Sequence, residues 1–203
     1  MKLTALDIMK YRYKIFIVLL LWFQYSVQAQ TKREYEVRID ATAFPDTAMA
    51  LLRAIPLKEK RLKYFKETNH DKVSYEAKFK FNRKRYSVEF NEAGQLEDIE
   101  ITIKKSEIPE TALTAIEQYL NAHCDSHHFI KIQKQYPQKE PFTAQQVLKN
   151  ALQNNNNGTV NFEIEVDMMT RKKHTAMEYL FNAKGSLLSQ RIIEPASYQH
   201  VLY

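Results

Sequence analysis

Val73-Ser74-Tyr75-Glu76-Ala77-Lys78-Phe79-Lys80-Phe81 alternates without a break, apolar at every odd number and polar at every even one. A period of two sends successive side chains to opposite faces of an extended chain, so this stretch predicts a strand with one buried and one wet face. Past Asn82-Arg83-Lys84-Arg85 the alternation resumes as Tyr86, Val88 and Phe90 against Ser87 and Glu89. Asn91-Glu92-Ala93-Gly94 then reads as a hairpin turn in which Gly94 takes a positive φ. Ile99, Ile101 and Ile103 form the next strand, and Leu96, which falls out of parity, marks a bulge or a strand start near Glu97.

The same pattern returns further along. Val160, Phe162, Ile164, Val166 and Met168 alternate with polar residues, as do Met177, Tyr179 and Phe181; Asn182-Ala183-Lys184-Gly185 repeats the turn, and Leu187 to Ile193 closes the sheet. The loop around Met169–Lys173 is expected to be four residues longer than its counterpart. A second echo sits at a constant offset of 64 residues: Tyr35–Ile39 with Pro45-Asp46-Thr47-Ala48, and Ile99–Ile103 with Pro109-Glu110-Thr111-Ala112. Self-similarity on this scale implies two copies of one supersecondary unit. The expected organisation is a leader over 1–29, a first repeat over 30–107 and a second over 108–203. Strand 99–103 would be shared between them in one continuous sheet, since no Pro/Gly/Ser-rich linker separates the halves.

Helices lead both copies. Ala48, Leu51, Leu52 and Ile55, and Ala112, Ile116, Tyr119 and Leu120, follow helical spacing, each behind a proline that costs no hydrogen bond in a first turn. A third helix is expected over 143–153, opened by the capping box Thr143-Ala144-Gln145-Gln146 and absent from the first copy. The fold class is therefore α+β, an antiparallel sheet with helices on one face. The expected buried set is Val73, Tyr75, Phe79, Phe81, Val88, Phe90, Ile101, Phe162, Ile164, Val166, Tyr179 and Phe181. Glu76, Glu100, Glu163 and Glu165 fall on the polar faces of strands and are expected to be solvated.

The first thirty residues read as targeting rather than fold. Lys10, Arg12 and Lys14 precede the apolar run Ile15–Phe23, and Val27-Gln28-Ala29 suits a signal peptidase, so cleavage is expected after Ala29. Nine apolar residues fall short of the ~20 that span a bilayer, which sets the alternative of an uncleaved anchor behind export to the periplasm or beyond. Loss of residues 1–29 lowers the formal charge from +6 to +3. That reduction, together with export, argues against a nucleic-acid partner. With Cys124 as the only cysteine, no internal disulfide is possible, and stability rests on the packed core. Asn157-Gly158-Thr159 fits a glycosylation sequon but sits in an Asn-rich run that reads as a loop.

Chemistry-bearing clusters are few. His123-Cys124-Asp125-Ser126-His127-His128 has ligand types suited to zinc or copper, yet its irregular spacing at a helix end equally suits helix capping. The three glycines, 94, 158 and 185, all fall in apparent turns, so no phosphate-cradling loop or nucleophile elbow is present. No catalytic, cofactor-binding or metal residue is assigned. From Leu57 to Phe90 there are eleven Lys/Arg and five Asp/Glu. Within that surplus Lys78, Lys80, Arg83, Lys84 and Arg85 form a candidate docking surface for an acidic partner, protein or envelope component; the alternative is a solvated strand face.

The hairpin Tyr86-Ser87-Val88-Glu89-Phe90-Asn91-Glu92-Ala93-Gly94-Gln95-Leu96, with the helix Pro45–Ile55 ahead of its strands, resembles the PepSY-like family of exported bacterial proteins. The repeat of that family is also similar to the β-lactamase-inhibitor-protein repeat. The resemblance covers most of residues 35–194 and departs from it at Met169–Lys173 and over 138–157. It implies a non-catalytic periplasmic or secreted module, in some members inhibitory toward an enzyme. Three function classes follow: an interaction or inhibitor-like module, which absent reactive constellations favour; a binder of small ligands, lipid or envelope polymer; and a metal-binding protein or enzyme.

Overall fold

A computed structural model describes residues 30–32, 34–57, 61–69 and 72–193; the expected leader, 1–29, lies outside them. The strands are β1 (Gln30–Lys32), β2 (Glu34–Ile39), β3 (Lys63–Asn69), β4 (Lys72–Phe81), β5 (Lys84–Asn91), β6 (Leu96–Thr102), β7 (Ser126–Pro137), β8 (Asn161–Thr170), β9 (Lys173–Asn182) and β10 (Leu187–Ile193). The helices are α1 (Asp46–Leu52), α2 (Glu110–His123) and α3 (Ala144–Gln153). All ten strands form one sheet in the order β1-β10-β9-β8-β7-β6-β5-β4-β3-β2. Neighbours are antiparallel, as expected, except for the three-residue β1, which runs parallel to β10.

That pair also bends the whole sheet. Lys32 pairs with Ile193 on β10, while Glu34, two positions on, pairs with Asn69 on β3. Two residues reach at most ~7 Å, whereas ten flat strands would hold their outermost members roughly 43 Å apart. The sheet must therefore curl until its two edges nearly meet, with residues 30–39 joining them. One face becomes the outside of the curl and the other its inside.

Parity decides which side chains go where. Ala77, Val88 and Ile99 lie directly opposite one another on β4, β5 and β6, as do Ile132, Ile164 and Tyr179 on β7, β8 and β9. These apolar residues join Leu51, Leu52, Ile116, Leu120, Val147 and Leu148 of the helices in a single core cluster. Sheet residues of the opposite, polar parity line the inside. Nine of the twelve residues expected to be buried are so; Val73, Tyr75 and Phe81 are partly exposed, the last two packing against the core margin.

Local chemistry sets the connections. Asn82 and Arg83 (φ 47° and 64°) and Arg171 and Lys172 (φ 50° and 66°) make two-residue turns with both central residues left-handed, the geometry whose twist matches that of flanking strands. Phe81 pairs with Lys84, and Thr170 with Lys173. The four extra residues of the second hairpin thus lengthen its two arms rather than its loop, because a pleated pair gains ladder hydrogen bonds that a longer loop forgoes. Register shifts between Glu89 and Phe90, the bulge that Leu96 predicts. Helix α1 ends at Leu52, one turn earlier than the spacing of Ile55 suggests. For α3, Thr143 accepts the Gln146 N–H and Gln146 caps in return, as its sequence requires.

Candidate functional site: the polar interior of the curled sheet

The inner face encloses a trough of about 1850 Å³, lined from Glu36 on β2 across to Arg191 on β10. Four carboxylates expected to be solvated project here. Glu76, Glu100 and Glu165 are buried, at 5%, 4% and 7% exposure, and Glu163 is partly buried. Alternation predicts which face a residue takes but not whether that face meets bulk water; curvature withdraws this one.

A buried carboxylate must be paired or protonated, and the trough uses both solutions. At one end Lys78 reaches across β3 to Glu36 and lies 2.8 Å from Oε2 of Glu76, while Ser87 Oγ donates to Glu76 Oε1. Burial alone would raise the Glu76 pKa, but the Lys78 ammonium and the Ser87 hydrogen bond hold it below the usual carboxylate value. Burial likewise opposes the charge on Lys78, yet Glu76 and Glu36 outweigh it and hold the ammonium firmly protonated. Further along, Arg191 Nε donates to Glu178, and Lys131 stands 3.6 Å from Glu165.

The middle of the trough is different. Glu76, Glu89 and Asp98 lie side by side on β4, β5 and β6, and acidic residues directly opposite each other repel. Burial, followed by Asp98, Glu100 and Glu76, raises the Glu89 pKa well above its ordinary value. Burial, with Glu163, Glu97 and Glu76 adding, pushes Asp98 up to about 8. Asp98 Oδ2 accepts from Gln135 Nε2 at 3.1 Å, and Gln133 Nε2 donates to Glu100. Asn161 in turn donates to Gln135 Oε1 at 2.9 Å, which fixes the amide so that its N–H₂ faces Asp98.

The five basic residues of the candidate docking surface do not share one surface. Lys78, Lys80 and Arg85 have the inner parity, but Lys78 is spent on Glu36 and Glu76. Lys80 and Arg85 face each other across β4 and β5, both exposed. Arg83 occupies the turn, and Lys84, on the outer parity, is ion-paired with Glu107. Among the described residues, Lys80 and Arg85 make no ion pair and stand at one end of the trough.

Nor does the structure gather His123–His128 around a point. His123 Nδ1 lies 2.7 Å from the Tyr119 carbonyl with its ring stacked on Tyr119. Cys124 Sγ donates to the Leu120 carbonyl, and burial with Asp125 nearby raises its pKa. Asp125 accepts the Arg171 N–H, and His127 bonds Glu117 at 3.0 Å. These are helix-end and strand-entry contacts, and β7 begins at Ser126, three residues before the expected Phe129. Sequence reading missed the central carboxylates because their meeting depends on the register of three strands.

No family model matches the chain, and no curated protein matches it either; the PepSY-like resemblance thus has no family match behind it. Solved structures do resemble it. A DUF2874 family protein from Bacteroides ovatus ATCC 8483 is 14% identical, with a TM-score of 0.50 over 76% of this chain and 96% of that one. A BLIP-like protein from Bacteroides fragilis NCTC 9343 is 14% identical, with a TM-score of 0.46 over 76% and 92%. A candidate periplasmic protein from Bacteroides eggerthii DSM 20697, also 14% identical, scores 0.45 over 73% and 88%. The first of these establishes a shared fold. Among the described residues no helix is long and apolar enough to cross a membrane.

Proposed function

We propose that this chain is a non-catalytic, exported interaction module, built of two tandem copies with helices on the outer face, that receives a segment of a partner protein in its polar trough. The observation that carries this reading is the trough itself. At about 1850 Å³, open and lined by charges of both signs, it exceeds the ~300–1000 Å³ apolar pockets that suit small ligands. A second cavity, near Lys134 and Phe162, has only about 170 Å³. Among the described residues Ser87 Oγ donates to Glu76 in the trough, but Lys78 pairs with that carboxylate and holds it below its usual pKa, a poor base, so binding explains the trough more simply than turnover. The duplication draws support from two matching details: Pro45 and Pro109 each precede a helix, and Gly94 and Gly185 each press on the first turns of the helix in their own copy. An exported setting rests on the leader-like residues 1–29.

Site-specific photo-cross-linking tests the reading. A cross-linking residue at Thr102, on the trough wall, should yield a discrete protein adduct in cells, and one at Gln118, exposed on α2, should not. Adducts from Gln118 alone would move docking to the helical side. Charge reversal at Lys80 and Arg85 should weaken the Thr102 adduct, and more so at low ionic strength.

A further inference from the structure

We propose that the cavity beside Lys134, on the helical side of the sheet, binds the anion of a small carboxylic acid with a short alkyl tail. Lys134 belongs by parity to the core face. It pairs with buried Ile101 on one side and buried Phe162 on the other, and Phe162 pairs in turn with buried Phe181. A lysine is seldom buried unless it is paired. Lys134 is only 9% exposed, yet among the described residues no carboxylate forms an ion pair with it. Its ammonium donates instead to two neutral amides, Asn154 Oδ1 at 3.0 Å and Asn156 Oδ1 at 2.7 Å, and stands 4.9 Å from the centre of the Tyr136 ring.

Charge around this point is one anion short. Glu107 borders the same cavity, but it is ion-paired with Lys84 and accepts the Lys104 N–H at 2.9 Å. Two ammoniums therefore share one carboxylate. Burial, and then Lys84, lower the Lys134 pKa, and only Glu107 opposes them. The cavity has room for the missing anion: about 170 Å³ beside Lys134 and Asn156, between the apolar walls Pro109, Val160, Phe162 and Ala183. A water molecule takes up about 30 Å³ in the liquid, so this space suits about six non-hydrogen atoms. Donors converge at its polar end. An ammonium has three N–H groups, of which Lys134 directs two to the asparagines. Asn156 uses its Oδ1 to accept from Lys134, and among the described residues its amide N–H groups have no acceptor. A carboxylate can bond both while its alkyl tail lies on Val160 and Phe162. Phosphate and sulfate match the charge but not the walls. The site faces away from the trough and does not depend on partner docking.

Calorimetric titration of sodium butyrate, an anion of this size, into the full chain at about pH 7 tests this directly. One site with a dissociation constant of about 10⁻³ M is expected for so small a ligand. Butylamine, with a similar tail and the opposite charge, and inorganic phosphate, with no tail, should each bind about tenfold more weakly or not at all. Lys134→Met keeps the length of the side chain without its charge. It should fold, melt no lower than the parent and bind butyrate about tenfold more weakly. Ala183→Phe, at an exposed turn position, should fill the cavity and weaken binding as much while leaving Lys134 in place. Lys149→Met, exposed on α3, should bind as the parent does. No binding at about 10⁻² M butyrate, equal binding of butylamine or phosphate, or equal binding by the parent and both cavity variants would overturn the proposal.

Discussion

Gly185 lies so close beneath the backbone carbonyl of Ala112 that any side chain at 185 would claim the space of that oxygen. A Cβ there would also come within 2.9 Å of Ala115 Cβ, and the backbone at 185 holds φ +81°. The β9–β10 hairpin and the first turns of α2 therefore meet almost backbone to backbone. Gly185→Ala should destabilise the protein by about 1–3 kcal/mol from left-handed strain alone, and by more through the clash. Gly94→Ala, at φ +74° against Thr47 and Pro45, should act in the same direction. Urea unfolding checks both; an effect within 0.5 kcal/mol, the ordinary range of surface substitutions, would mean that the hairpins do not rest on the helices.

Phe79 is 5% exposed and stacks on Tyr86, with ring centroids 5.1 Å apart. Truncation to Ala should cost about 3–5 kcal/mol. Because one core cluster runs through both halves, the loss should appear as a shift of a single thermal transition. Two separated transitions in the calorimeter would indicate halves that fold apart.

Removing the Lys78 cation should hurt more than removing its neighbours. Lys78→Met leaves Glu76, buried, and Glu36 facing each other without the ammonium. A loss of about 1–3 kcal/mol is expected from the stranded carboxylate. Lys80→Met and Arg85→Met, both exposed, should stay within about 0.5 kcal/mol. Equal effects at all three positions, measured by chemical denaturation, would deny Lys78 its special place.

Protonation in the trough predicts an unusual slope. The pKa of Asp98 rises on folding to about 8, so the native state holds its proton more tightly than the unfolded chain does. That contribution is fully present below the unfolded value of about 3.9 and is lost as pH rises through 8. Glu89 acts with the same sign, while Glu76, lowered by Lys78, acts with the opposite sign in the acid range. Asp98→Asn should therefore flatten the fall in stability between about pH 4 and 8 relative to the parent. Melting curves across that range decide it, and parallel profiles for the two proteins would count against the buried proton.

What the chain discloses before folding is its local grammar. Strand parity from Val73 to Phe90, the turns at Gly94 and Gly185, the bulge beside Leu96 and the Thr143 cap are all set by neighbours within a few residues, and each is legible. The functional interior is not. Glu89 meets Asp98 through strand register, and Lys78 meets Glu36 across an intervening strand. Polar alternation reads the same whether its face is flat and wet or rolled inward. What separates the two cases is the split allegiance of residues 30–39, and a three-residue parallel strand carries too little pattern to announce itself.

The joining of β1 to β10 also sets an order of events. Gln30 pairs with Arg191, a partner roughly 160 residues downstream. A chain made from its N-terminus must leave β1 waiting until β10 has been made, and contacts so distant in sequence form late and slowly. The short strand β1 is thus the final latch. Until it closes, the two edges of the sheet stand apart and the polar interior lies open to its surroundings.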